Sequence, residues 1–254
     1  MSQLLSRNGA IALYDSGRGV ESVLKACQSL MPREKWLIMQ DAQHQSYGNK
    51  TNEEIIQAGH HCFRSMTKGN VKAIVVACHT SSAIALPWLS QRYTLPMVGM
   101  LRPTARLLAE LYRDETIIWL ATPASVLADR VEPLARQLGF RGRFHAVACH
   151  EWVDCIEQNR VEKLHQLVAS FVDQHQSVLQ STSCKILYGC THYPLLDGII
   201  RKFITNSCVR IDPAIAVAEA LQLMLTQRNI LRKSPQSSVR CFNGLDFRPS
   251  AVLA

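Results

Sequence analysis

Two short stretches hold the residue types most able to do chemistry. Residues 185–196, KILYGCTHYPLL, place Cys190, Thr191 and His192 directly after an apolar run and a glycine. Residues 73–88, AIVVACHTSSAIALPW, place Cys78, His79 and Thr80 after a β-branched run. A cysteine thiol ordinarily titrates near ~8.5, so either protonation state is reachable close to neutrality. Two such groups facing one small cleft can invert a carbon centre. One thiolate removes a proton from one face, and the opposite thiol delivers a proton to the other. General acids and bases placed this way contribute about 10²–10⁴ in rate. The same residues admit other chemistry. Cys190 and His192 could serve as nucleophile and base of a hydrolase, which leaves Cys78 and its duplicated surroundings without a role. Two cysteines and two histidines also make a zinc set, but adjacent Cys-His residues cannot easily both point inward.

Each thiol needs an element to hold it. Ile186-Leu187-Tyr188 reads as a buried strand ended by Gly189, and Pro194 opens a helix where its missing N–H does no harm. Ile74-Val75-Val76 is the matching strand before Cys78, and a helical pattern follows it. A thiol at the carboxyl end of a strand, facing a helix start, stands where an open α/β sheet takes its ligand. The repeated strand–Cys–helix unit predicts two similar halves, each offering one thiol to a shared cleft. Residues 10–14, AIALY, form another such strand. It ends in Asp15-Ser16-Gly17-Arg18-Gly19, and Val20, Val23, Leu24 and Cys27 follow at helical spacing. That loop lacks both GxGxxG spacing and a P-loop lysine, so Asp15 and Ser16 read as active-site groups rather than part of a phosphate cradle. Capping the helix is their alternative role.

The remaining pattern is regular. Residues 36–39, 97–100, 116–121, 143–148 and 209–211 read as strands. Residues 52–66, 103–112, 126–138, 160–176 and 214–227 read as helices, with Asn52 as a cap, Gly139 as a terminator and Asp212-Pro213 as an opening. A further helical stretch holds Asp154 and Glu157. Residues 40–50 form a polar loop of the length that is usually functional. Residues 228–238 read as a polar surface loop, and 240–254 as the source of an edge strand.

Composition sets the class. At 254 residues with 47% hydrophobic and 19% charged residues, the chain is an ordinary globular protein and not a disordered one. No apolar run approaches the ~18 residues of a membrane span. Arg7, Asn8 and Gly9 interrupt any signal-peptide pattern, so a cytoplasmic location is expected. Nine cysteines, an odd count without a CxxC pair, argue against a disulfide framework. Cys27, Cys62, Cys149, Cys155, Cys184, Cys208 and Cys241 are expected to be buried packing residues. The net charge of +8 would draw a small anionic substrate. Lysines and arginines are scattered without interleaved aromatics, so nucleic acid is not required as a partner.

CTHYPLL, VVACHTS and LYDSGRG together resemble the glutamate racemase branch of the aspartate/glutamate racemase superfamily, and the likeness runs over nearly the whole chain. The resemblance implies an α/β protein of two similar three-layer domains with mostly parallel sheets, related by pseudo-symmetry, with the active site in the cleft between them. It places residues 1–97 in the first domain and 98–208 in the second, with 209–254 packing back on the first and crossovers near 96–101 and 205–212. It implies cofactor-independent racemisation of glutamate, supplying D-glutamate for peptidoglycan, with no membrane partner and with room for a homodimer. No motif for a metal, nucleotide or pyridoxal lysine stands against that. Cys78 would be the base for the D-enantiomer and Cys190 for the L-enantiomer, with Asp15 and His192 acting beside them. Asp15, Ser16, Tyr47, Gly48, His79, Thr80, Thr122, Ser125, Thr191 and His192 would contact substrate. Thr122 and Ser125 stand in the place of the family's GTxxT, and the Tyr47–Gly48 amides in the place of its Pro-Tyr-Gly; Asp41 also matches. The chain departs from the family pattern at Arg18, Val20, His44, Ser46 and His79. If the glycine replaced by Val20 serves a positive-φ turn, the first loop has a different shape here. These departures keep two further readings open, a racemase of aspartate or another acidic amino acid, and a diverged amino-acid-binding protein without catalysis.

Overall fold

The computed structural model describes residues 6–41, 43–44, 46–181, 183–204, 208–233 and 238–243. In chain order the elements begin β1 (Ala10–Asp15), α1 (Val20–Leu30), β2 (Lys35–Gln40), α2 (Asn52–Met66), β3 (Val71–Val76), α3 (His79–Ile84), α4 (Leu86–Leu89) and β4 (Met97–Gly99). Next come α5 (Leu101–Leu111), β5 (Thr116–Ala121), α6 (Pro123–Ala128), α7 (Val131–Gln137), β6 (Phe144–Ala148), α8 (Trp152–Glu157), α9 (Val161–Gln174) and α10 (Gln176–Leu179). The chain continues through β7 (Cys184–Gly189), α11 (Asp197–Phe203), β8 (Val209–Ile211), α12 (Ala214–Gln227) and β9 (Ser238–Asn243).

The strands form two sheets, ordered β4-β3-β1-β2-β9 and β6-β5-β7-β8. Every pairing in both is parallel. Parallel strands are buried on both faces, and β3 (VKAIVV) is buried at all six positions. In the first sheet, Ile11 and Leu13 pack against Val23 of α1 and Leu221 of α12, while Ala12 and Tyr14 pack against Ile55 and Phe63 of α2. In the second, Ile186 and Tyr188 meet α8, α9 and α11, and Ile117 and Trp119 meet α5 and α7. The protein is therefore two three-layer α/β domains, and its strands deliver their carboxyl ends toward one another. Among the described residues no helix is long and apolar enough to cross a membrane.

Several local expectations are corrected. Thr51, not Asn52, caps α2, in a capping box closed by Glu54. The helix expected over 126–138 is broken into α6 and α7 because Asp129 takes a left-handed conformation at φ 42°. Gly139, at φ +107°, ends the second of these as expected. The stretch 160–176 ends early at Gln174, and α10 follows as a separate turn. Pro194 opens a 3-10 turn over Tyr193–Leu196 before α11 begins. Parallel strand β9 adds the edge beside β2. Residues 244–254 of the expected edge segment, and 205–207 of the second crossover, lie outside the described residues.

Of the stretch 228–238 read as a surface loop, residues 230–232 are instead tied into the interior. The Lys72 ammonium, fully buried at the start of β3, lies 2.6 Å from Glu34 Oε2. It also donates to the Ile230 and Arg7 carbonyls at 2.8 and 3.1 Å. The Arg232 amide donates to Glu34 Oε1 at 2.8 Å, and Ile230 and Arg232 are both buried. Burial pushes the Lys72 pKa down, against the pull of Glu34. One buried ion pair thus joins the amino-terminal ends of β2 and β3 to the chain on either side of the domain. Removing one partner of such a pair strands the other charge and costs about 3–5 kcal/mol. Glu34→Ala is expected to lower unfolding stability by that amount, read as an earlier midpoint in urea at unchanged slope.

Candidate active site

The site is assembled where four strands end. Asp15 closes β1, Cys78 follows β3, Thr122 follows β5 and Cys190 follows β7. All four side chains are buried. Asp15 joins the two domains: its Oδ2 accepts from Thr191 Oγ1 at 2.9 Å, and its Oδ1 accepts from the Gly17 amide at 3.2 Å. Ser16 Oγ lies 3.4 Å from the same carboxylate and 3.5 Å from Cys78 Sγ. Neither Asp15 nor Ser16 caps α1, whose N-cap is Gly19 without a side-chain bond. The Ser81 amide donates to Cys78 Sγ at 3.5 Å, so the thiol itself caps α3.

On the opposite side Cys190 Sγ stands 3.5 Å from His192 Nδ1, and His192 Nε2 is 2.7 Å from Glu157 Oε1. The same Glu157 oxygen accepts from the Arg18 amide at 2.9 Å. The two loops lie flush. A β-carbon at Gly17 would sit 2.6 Å from Glu157 Oε1, and one at Gly19 would overlap Thr191 Oγ1. Neither glycine has a positive φ, so close approach rather than turn geometry selects them. Val20 accordingly fits as the first, fully buried residue of α1, and the loop needs no positive-φ turn there.

A second set of contacts closes the cleft on its other flank. Thr80 Oγ1 lies 2.9 Å from Thr122 Oγ1 and 3.0 Å from Ser125 Oγ, and Thr122 donates to Ser125 at 2.9 Å. Three hydroxyls from both domains therefore form one ring. Gly48 packs against Thr122 and Pro123, with Tyr47 beside it in a 3-10 turn. The Tyr47 side chain turns inward, bonding Tyr14 OH at 2.8 Å and the Asp41 carboxylate. His44 folds back on Asp41 at 3.0 Å. Ser46, which stands at the family's proline, adopts φ 63°, a conformation closed to proline. His79 is 2% exposed, and neither ring nitrogen has a hydrogen-bond partner.

Electrostatics separate the two thiols. Burial, and then the Asp15 carboxylate, push Cys78 up to about 11, against the Ser16 and Ser81 contacts. Burial alone would lower His192, but Cys190, Glu157 and Asp15 outweigh it and hold the ring near about 10. His192 is thus an imidazolium at neutral pH, with its Nδ1 turned to Cys190 Sγ. Asp15 is raised above the usual carboxylate range by burial, opposed by His192 and Thr191. Burial holds His79 neutral, at about 3.

Sequence reasoning located Asp15, Ser16, Cys78, Thr191, Cys190 and His192, which the structure gathers into one network. It located Thr80, Thr122 and Ser125, gathered into the ring, and Tyr47, Gly48 and His79 beside them. It passed over Glu157 and Ser81 as residues of helical stretches, and Tyr14 as a strand residue. The partnership of Glu157 with His192 spans two helices and leaves no spacing signal in the chain.

The Asp/Glu/Hydantoin racemase family profile matches residues 19–221. The chain belongs to that family. Its relatives include the glutamate racemase of Carboxydothermus hydrogenoformans, 33% identical over 221 residues, which cover 87% of this chain and 82% of the relative. Glutamate racemase isoform RacE1 of Bacillus anthracis superposes with a TM-score of 0.84 at 24% identity, over 93% of this chain and 89% of that one. The Francisella tularensis glutamate racemase in complex with D-glutamate superposes at 0.83 with 22% identity, over 93% and 88% of the two chains. This racemase-family chain has a cysteine at the carboxyl end of one strand in each sheet. The family match begins at Gly19, four residues after Asp15.

The histidine contact predicts a pH dependence. His192 has a folded pKa near about 10 and an unfolded one near ~6.5. Its contribution to stability is complete below ~6.5 and is lost as pH rises through about 10. His192→Asn is expected to flatten that part of the stability–pH curve. Glu157→Gln should move the His192 titration, followed by NMR, to lower pH.

Proposed function

We propose that this chain interconverts L- and D-glutamate by proton transfer between Cys190 and Cys78, and that it supplies D-glutamate for peptidoglycan. The observation carrying this reading is the opposite setting of the two thiols across one buried carboxylate. Cys190 has a cationic ring beside it, while Cys78 is held protonated well above neutrality. The two thiols thus stand in unlike surroundings on opposite domains before substrate arrives. For the L-enantiomer Cys190 takes the α-proton and the Cys78 thiol delivers its own to the other face; for the D-enantiomer the roles exchange. The carbanion spreads its charge into the α-carboxylate, where preorganised donors stabilise it most. Ser16, Thr80, Thr191 and the Tyr47–Gly48 amides are the donors within reach of the cleft. The neutral His79 ring adds one donor and one acceptor. Asp15 and His192 position and charge-balance the thiols. The scheme draws on no cofactor. The names of the relatives support glutamate as substrate, as does the D-glutamate bound by the Francisella protein.

The test is purified, reduced protein with each enantiomer of glutamate, and separately of aspartate, in deuterated water with chiral separation. Racemisation should place deuterium at Cα of the inverted product, with glutamate turned over faster than aspartate. Cys78→Ser and Cys190→Ser should each lower the rate by at least about 10². With a β-chloro analogue, whose elimination needs a single base, Cys78→Ser should still process the L-form and Cys190→Ser the D-form. Full activity in either serine variant, or the same enantiomer preference in both, contradicts the assignment.

A further inference from the structure

A second pair of thiols plays no part in this chemistry. Cys184 opens β7, and Cys208 immediately precedes β8. The two strands pair in parallel with Lys185 opposite Val209, so the cysteines face each other one step before that register begins. Both lie in the same core layer as Ile186 and Tyr188, as side chains at matched positions of parallel strands do. The Cys208 thiol donates to the Cys184 carbonyl oxygen at 3.4 Å, which brings its sulfur against the opposite cysteine. Neighbouring strands run about 4.8 Å apart, within the ~4.4–6.8 Å between α-carbons that a disulfide spans.

The pair is also chemically unequal. The Cys184 thiol, with Arg210 and Lys185 adding to it, draws the Cys208 pKa down against the effect of burial. The same neighbour, and then burial, raises Cys184. The thiolate is the attacking form, so Cys208 is the attacking member of the pair. Arg210 and Lys185 are themselves paired with Asp197 and Glu115, so it is the matched positions of the two cysteines that single the pair out.

We propose that Cys184 and Cys208 are a redox-modification site, which a low-molecular-weight disulfide converts into a cross-strand disulfide stapling β8 to β7. The Cys208 thiolate attacks one sulfur of the small disulfide. That S–S bond breaks, one small thiolate leaves, and a mixed disulfide forms on Cys208. Cys184 then attacks the Cys208 sulfur, its proton passing to the second departing thiolate, and the new S–S bond closes. The protein loses two electrons and two protons, and the small disulfide is reduced to two thiols. β8 is the edge strand of its sheet and is held by only three register pairs. The staple therefore fixes the least secured strand of the second domain.

The experiment uses the unsubstituted full chain, incubated with oxidised glutathione, alkylated and digested with trypsin without reduction. Trypsin separates Cys184, Cys190 and Cys208 onto different peptides. Mass spectrometry should find the Cys184 and Cys208 peptides joined, with the link reversed by dithiothreitol. Amide exchange over Val209–Ile211 should slow at least about tenfold in the oxidised form. Cys184→Ala should stop at a glutathione adduct on Cys208, and Cys208→Ser should give neither product. Oxidation confined to other cysteines, an adduct on Cys208 that never closes, or a closed link with unchanged exchange overturns the proposal. Because the mapping is made on the unsubstituted chain, a poorly folding variant leaves the result readable.

Discussion

A carboxylate taken out of water is costly unless its lone pairs are filled, and that constraint organises this protein. Asp15 is fully buried, and the first domain alone does not fill it. The missing donor is Thr191, which arrives from the second domain on the loop that also carries Cys190. Satisfying one buried charge therefore docks two sheets. Glu157 repeats the arrangement in reverse: a second-domain carboxylate accepts from the Arg18 amide of the first-domain loop and from His192. The glycines between these contacts keep the loops close enough for both bonds.

From that docking follows the difference between the thiols. Each cysteine sits at a strand end and starts the next turn, and the two local sequences are alike. Their neighbours are not alike, because Cys78 lies by the Asp15 carboxylate and Cys190 by the His192 imidazolium. Each of these neighbours belongs to the same domain as its thiol. The opposite domain acts one step back, Thr191 holding Asp15 and the Arg18 amide holding Glu157.

Much of this was legible in the chain. Apolar runs ending in Gly-Cys or Ala-Cys marked β3 and β7 because parallel strands need both faces covered. The repeat of the unit marked two domains. The hydroxyls Thr80, Thr122 and Ser125 were found by position, although their mutual bonds were not. What stayed hidden was of two kinds. Backbone choices such as left-handed Asp129 and Ser46 depend on neighbours in space, so helical periodicity ran straight through the first of them. Long-range pairs such as Glu157 with His192, or Lys72 with Glu34 and Arg232, leave no periodic trace. The polar segment after α12 read as surface for that reason.

The Lys72–Glu34 clamp lies at the amino-terminal ends of the strands, and the thiols lie beyond their carboxyl ends. Arg18 and Val20 follow β1, His44 and Ser46 follow β2, and His79 follows β3. The five departures named above thus fall at the carboxyl-terminal, ligand end of the first sheet, opposite the clamp. The strands act as insulators between two kinds of residue. One end holds the architecture, while the other carries the residues that line the pocket. A fold divided in this way can explore new substrates without first becoming more stable.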